Sequence, residues 1–356
     1  MQKQLNKLNI MKYFSAILIF FVIFSYTFAQ DHTILTGYRG NINTIAFSPD
    51  GKTIAGGDEN GNLIFTDISS MTKIHSLETG SNITCINYSP ASLDMLAYTT
   101  YDGEVNILKA SSKEVLRNFK KDGNIYFAVF SPDGKQLAVA YTREPTEKEQ
   151  DKGIRLNFIV DLHETGKFDK TKTLRLSKPN DPDGEMFGAK LFESYRYNYF
   201  SCDYNNTTSY LASGSMGKNI AIYSFEYNKF APSYKGHSKR VTFVTFSPDG
   251  NYLCSTSKDE TAKLWNVNSG GSIITLKGHT GTINSASFSP DSKYVATASN
   301  DETVKIWDVK TSALIKTLSG LNGEVITVKF SPDGTYLAAA GTNEKILLWK
   351  TSEILQ

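Results

Sequence analysis

The side chains able to do chemistry are scattered along this sequence. The five histidines, His32, His75, His163, His237 and His279, fall on separate segments, and the three cysteines, Cys85, Cys202 and Cys254, are far apart. Without a CxxC pair or a Cys/His cluster, the spacing suggests neither a zinc site nor a redox couple. GxSxG, HExxH and phosphate-loop patterns are absent. In "NDPDGE" (180–185), Asp181, Asp183 and Glu185 alternate as in some calcium loops, but the full loop spacing is missing and Pro-Asp-Gly is an ordinary turn. The expectation is therefore no catalytic residue, no metal and no cofactor. A Cys202–Cys254 disulfide would need an oxidising compartment, and Asn82 and Asn206 are glycosylation sequons only in a eukaryote.

The chain has 356 residues, 40% apolar and 21% charged, which is ordinary globular composition. Its formal charge of +2 includes Lys3, Lys7 and Lys12, so residues 30–356 carry −1. A near-neutral body lacks the clustered cations that give phosphate affinity, and nucleic acid is excluded as a partner. Residues 1–29 read as a secretory signal peptide: a basic start, the uncharged run "FSAILIFFVIFSYTF", then Thr27 and Ala29 at the −3 and −1 positions of a cleavage site. An uncleaved anchor is the alternative, and Met11 could be the true start. The expected location is exported, periplasmic if bacterial and otherwise secreted, with no membrane span after cleavage.

The elements that must position any site come from a repeat. "FSPDG" occurs at Phe47, Phe130, Phe246 and Phe330, "FSPDS" at Phe288 and "YSPAS" at Tyr88. The prolines are spaced 41, 42, 116, 42 and 42 residues apart, and "DYNNTTSYLASGS" supplies a divergent unit inside the long gap, with Asn206 at the proline position. That makes seven units. Each reads as four short β runs separated by turns, as in "TINSASF", "YVATAS", "VKIWDV" and "ALIKTL". In SPDG, Pro presets the backbone of a type I turn, while Ser and Gly suit its ends. A period near 42 with four strands per unit implies an all-β, seven-bladed β-propeller of four-stranded antiparallel blades over residues 30–356.

Two units carry a family resemblance. "GHTGTINSASFSPDSKYVATASNDETVKIWDV" resembles a WD repeat, with Gly278-His279 at its start and Trp307-Asp308 at its end, and unit five matches through Gly236-His237 and Trp265-Asn266. The resemblance implies an interaction protein. It also implies buried structural tetrads of His237, Ser255, Asp259 and Trp265, and of His279, Thr297, Asp301 and Trp307. Other units depart from it: unit seven keeps Trp349 but has Leu321 and Ala339, and unit one has Tyr38, Gly56, Asn60 and Thr66. Lower regularity is expected there. "HTILTG" (32–37) aligns with "IKTLSG" (315–320), so the N-terminal strand should complete the last blade and remove an open edge.

The units differ most between Pro132 and Asn206. Aligning Val160-Asp161 with Trp-Asp divides the excess between insertions at 142–153 and 176–195, the second within "LSKPNDPDGEMFGAKLFESYRYNYF" (176–200). In a WD-type propeller both connections emerge on one face. Loops carry binding residues on a rigid frame, and aromatics with Arg anchor interfaces. The candidate partner-binding residues are Tyr195, Arg196 and Tyr197, with Lys239, Arg240 and Lys258 from unit five; 142–153 alone reads as solvated loop. A protein or peptide partner fits best. The alternatives are a glycan-binding propeller, or a hydrolase or lyase whose ionisable groups converge in the channel mouth.

Overall fold

A computed structural model describes residues 32–91, 94–151, 157–175, 201–207, 209–214, 217–267, 269 and 273–355. The signal peptide read at 1–29, the "NDPDGE" run and Tyr195, Arg196 and Tyr197 lie outside them. The strands are grouped into seven antiparallel sheets. Their strands, lettered a to d outward from the centre, are Ile42–Phe47, Thr53–Asp58, Asn62–Asp67 and Thr72–Glu78 in blade 1. Blade 2 has Ile83–Tyr88, Met95–Thr100, Glu104–Lys109 and Val115–Lys120; blade 3 has Asn124–Phe130, Gln136–Arg143, Asn157–Glu164 and Lys170–Arg175. Blade 5 is Val241–Phe246, Tyr252–Ser257, Thr261–Asn266 and Ile273–Lys277, and blade 6 is Ile283–Phe288, Tyr294–Ser299, Val304–Asp308 and Leu314–Leu318. Residues 33–356 make one compact unit.

Five of the seven a–b turns are built by their Ser and Asp. Ser48 Oγ donates to Asp50 Oδ1 at 2.6 Å and accepts the Thr53 N–H at 2.9 Å, while Gly51 takes a φ of +70°. The same bonds recur at Ser131, Ser247, Ser289 and Ser331. In the divergent fourth unit Asn205 does the serine's work, its Oδ1 accepting the Tyr210 N–H at 2.8 Å. This turn is why so unlike a sequence still forms a blade.

Blade 4 is the irregular one. After Cys202–Tyr204, Tyr210–Gly214 and Asn219–Ser224, its outer edge is split into Lys229–Phe230 and Tyr234–Lys235. Blades 1 and 7, expected to be less regular, are complete four-stranded sheets. Blade 7, Val325–Phe330, Tyr336–Gly341 and Ile346–Lys350, takes His32–Leu35 as its outer strand. Leu35, 4% exposed, packs there with Ile64, Ile346 and Leu348. Full burial of such a side chain is worth about 1.5–3 kcal/mol, and the pairing removes an edge. All three thiols are buried and free, so the disulfide considered for Cys202 and Cys254 does not form.

Candidate functional site

The two tetrads form continuous hydrogen-bonded chains. His237 Nδ1 lies 2.9 Å from Asp259 Oδ2, its Nε2 2.8 Å from Ser255 Oγ, and the Trp265 indole N–H donates to that Oγ at 2.8 Å. His279, Asp301, Thr297 and Trp307 repeat this at 2.7, 2.8 and 2.9 Å. Burial would raise the Asp259 and Asp301 carboxyls, but bonds from each histidine and from Thr261 or Thr303 hold both far below the usual range. Both imidazoles are 0% exposed, so no substrate reaches them.

Blade 3 carries a different buried cluster at the same place. Leu137 pairs with His163 as Val295 pairs with Trp307. His163, not Val160, therefore occupies the Trp position, three residues from the alignment read in sequence. Lys121 precedes Ile125 as His279 precedes Ile283 and takes the His position. Its Nζ donates to Asp161 Oδ2 at 2.7 Å and to His163 Nε2 at 2.8 Å. Thr173 and Tyr141 donate to the same carboxylate at 2.6 and 3.1 Å. His163 Nδ1 faces the Phe168 carbonyl at 2.9 Å, which fixes the proton on Nδ1 and leaves Nε2 to accept. Sequence reading missed this set because the insertion hides the spacing; the signal was Lys121, four residues before a buried Ile.

Blade 1 solves the same place by size. Tyr38 stands at the His position and Gly56 at the Ser/Thr position, where an added Cβ would come within 2.2 Å of the Tyr38 hydroxyl. That hydroxyl is buried without a hydrogen-bond partner, and burial pushes its pKa far up.

The b–c turns and d–a loops share one face, tied by backbone bonds such as Lys258 N–H to Arg240 O at 2.9 Å. Lys239 is exposed there, with Arg240 and Lys258 half-buried beside it, and burial then the Arg240 charge lower the Lys258 pKa. The tyrosine half of the expected site, Tyr195, Arg196 and Tyr197, lies outside the described residues. Of the 142–153 insertion, read as solvated loop, residues 142–151 are described: most are exposed, and they are tied down at Arg143 and Glu149. Arg143 makes a two-pronged pair with Glu149 at 3.0 Å, Arg175 reaches Glu149 Oε1 at 2.6 Å, and Glu149 accepts the Thr146 N–H at the start of the helix Glu147–Gln150. The Glu149 side chain is 13% exposed.

The inner strands surround a narrow central channel. Phe127 of blade 3 and Phe243 of blade 5 meet edge-to-face across it, ring centroids 5.7 Å apart. Lys329 Nζ lies 5.4 Å from the centre of the Phe243 ring. Asp203, at the matching position of blade 4, accepts the Phe246 N–H at 2.8 Å and the Thr245 hydroxyl at 3.0 Å. Burial pushes Asp203 up to about 6 and lowers Lys329. Cys85 nearby is pushed up to about 11 by burial, away from thiolate.

Known families match along much of this ring. The model of the WD domain, G-beta repeat, matches 228–266, 270–308 and 312–350, and the anaphase-promoting complex subunit 4 WD40 domain matches 32–91. The WD repeat-containing protein WDS homolog of Arabidopsis thaliana is 35% identical over 297 residues, covering 65% of this chain and 56% of that protein. The periodic tryptophan protein 2 homolog of Dictyostelium discoideum is 22% identical, covering 65% of this chain and 18% of its own. The small ribosomal subunit protein RACK1 of Glycine max is 35% identical over 88 residues, 25% of this chain and 26% of its own. The chain thus spans less than two thirds of these relatives. A ribosomal protein works inside the cell, so the relatives point away from the exported, periplasmic or secreted location read from residues 1–29, and that reading is withdrawn. Among the described residues no helix is long and apolar enough to cross a membrane. Repeats, ring and family matches agree: the chain belongs to the WD-repeat β-propeller family.

Proposed function

We propose that the chain is a non-catalytic interaction scaffold that binds a protein or peptide through the face bearing its b–c and d–a loops, over blades 3 to 5. One observation carries this. The described part of the insertion, 142–151, is tied by the Arg143 and Arg175 bonds to Glu149, and it belongs to the kind of connection that shares a face with Lys239, Arg240 and Lys258. A segment tied in this way costs little ordering entropy on binding. The 176–195 insertion, ending at Tyr195, falls by sequence in the same kind of connection, and with the Arg196 and Tyr197 that follow it supplies the anchors.

The tetrads belong to the frame in this reading. Asp203 and Lys329 are ionisable groups with shifted pKa values in the channel, the feature an enzyme reading calls for. Asp203 is already engaged by Phe246 and Thr245, however, and no histidine stands beside the Cys85 thiol to activate it.

The test replaces Tyr195, Arg196 and Tyr197 with Ala, and separately Lys239 and Arg240 with Glu, before affinity capture from a native lysate. Each variant should keep the wild-type melting curve and lose the partner. Undiminished recovery by both folded variants overturns the proposal.

A further inference from the structure

The channel offers two kinds of unfilled hydrogen-bonding group. The cavity is lined at the loop face by Asn43, Tyr126, Asn284 and Ile326 and deeper by Phe127, Phe243 and Lys329. Asn284 is 6% exposed, and its Nδ2 donates to the Val325 carbonyl at 2.7 Å and to Asn300 Oδ1 at 2.5 Å. The carbonyl accepts only, so the amide orientation is fixed, and Oδ1 is left buried without a partner. Asn43, at the equivalent place in blade 1, uses its Nδ2 on Asn82 Oδ1 at 2.8 Å and the Ile83 carbonyl at 3.4 Å. Its Oδ1 makes no bond to a described residue. Of these two amide oxygens, from the blades on either side of blade 7, that of Asn284 is buried without a donor, and that of the half-buried Asn43 offers a second acceptor at the cavity wall.

Lys329 is the complement. Its ammonium rests over Phe243 and makes no hydrogen bond or ion pair with a described residue; Asp203 is near enough to act through space but forms no pair within 4.0 Å. Asn284 Oδ1 is the buried one, and a buried acceptor left unfilled is destabilising, so the cavity favours a guest that supplies a donor there and an acceptor to the half-buried Lys329. A carboxylate would fill Lys329 but give the asparagines no proton, and it would face the Asp203 charge. An ammonium would fill the asparagines and be repelled by Lys329. A primary carboxamide accepts through its oxygen and donates through its NH2, without adding charge to a pair that already balances. The free volume of about 60 Å³ admits a head group of that size and not a ring.

We propose that the channel is a binding site for a primary carboxamide, its oxygen on Lys329 and its NH2 on Asn284 and Asn43, delivered by a glutamine or asparagine side chain of the partner. The delivery rests on the scaffold reading; the site itself does not.

The experiment titrates protein labelled at isoleucine methyls with propionamide, propionate and propylammonium, three guests alike except in the head. Ile326 and Ile86 line the cavity and report. Propionamide should give saturable shifts at both, at least about tenfold tighter than either ion, equivalent to about 1.4 kcal/mol. Asn284→Leu and Lys329→Met, each with a wild-type melting curve, should abolish the response. Equal or tighter binding of either ion, or no saturable shift with propionamide, overturns the site. A capped Gly-Gln-Gly peptide compared with Gly-Glu-Gly tests delivery: preference for Gln supports it, and binding of propionamide but neither peptide rejects a side-chain source. No arm uses the partner or the loop variants, so failure here leaves the capture experiment standing, and the reverse holds.

Discussion

Lys121 donates to His163 Nε2 at 2.8 Å, and these two residues stand where His279 and Trp307 stand in blade 6. One fold position thus holds either an Asp–His–Ser/Thr–Trp chain or an ion-paired Lys–Asp–His cluster. What both share is that every central polar atom is paired, which buried networks require.

The ion-paired version fails steeply when halved. Lys121 is 9% exposed and Asp161 1%, so Asp161→Leu strands a buried ammonium. The loss should be about 3–5 kcal/mol, read as a lowered urea midpoint, whereas Lys121→Met with Asp161→Leu together should cost less than Asp161→Leu alone. A double variant as damaging as the sum would show that the pair acts by something other than charge.

His163 also makes blade 3 sensitive to acid. Burial lowers its pKa below the ordinary 6.5, with the Lys121 and Lys170 charges adding to it; the bond to the Phe168 carbonyl and the Asp161 charge oppose it without cancelling it. A depressed histidine is neutral when folded and protonated when unfolded, so its stabilisation is complete above about pH 6.5 and is lost as pH falls. Asp161, held low by Lys121 and Thr173 against the effect of burial, adds a second loss below about pH 4. Amide exchange across Asn157–Glu164 should accelerate between about pH 7 and pH 5.5 beyond its intrinsic pH dependence. His163→Gln should flatten that excess.

Tyr38 and Gly56 form a size-matched pair. Tyr38→Phe removes the partnerless hydroxyl and should raise stability by up to about 1 kcal/mol, seen as a higher melting temperature. Gly56→Ala puts a methyl against the ring and should lower stability by about 1–3 kcal/mol. Tyr38→Ala alone opens a cavity in the core and is costly, but the double variant should cost less than the sum of the two single changes, since the methyl then has room.

The ring was legible because its information is local and repeated. Ser, Asp and Gly of SPDG make their own turn, and the 42-residue period counts the blades. Blade 3 was misread because its signal is not local: Lys121, Asp161 and His163 meet across 42 residues and an insertion, and only strand register shows that His163 replaces Trp. The channel was equally hidden. Asn284, Asn43 and Lys329 each look like an ordinary strand residue, and it is ring closure that turns them inward together.

The tetrads allow a test that separates chemistry from packing. Ser255 Oγ receives the Trp265 N–H and faces His237 Nε2, so Ser255→Ala leaves two buried nitrogens unfilled at once. The cost should be about 2–4 kcal/mol, more than loss of one exposed hydroxyl. Ser255→Thr should behave as wild type, because Thr297 holds His279 and Trp307 at 2.8 and 2.9 Å in blade 6 with the larger side chain. Urea unfolding of the three proteins decides it: if Thr is as damaging as Ala, the position is limited by space, and the hydrogen-bonded chain is not what it contributes.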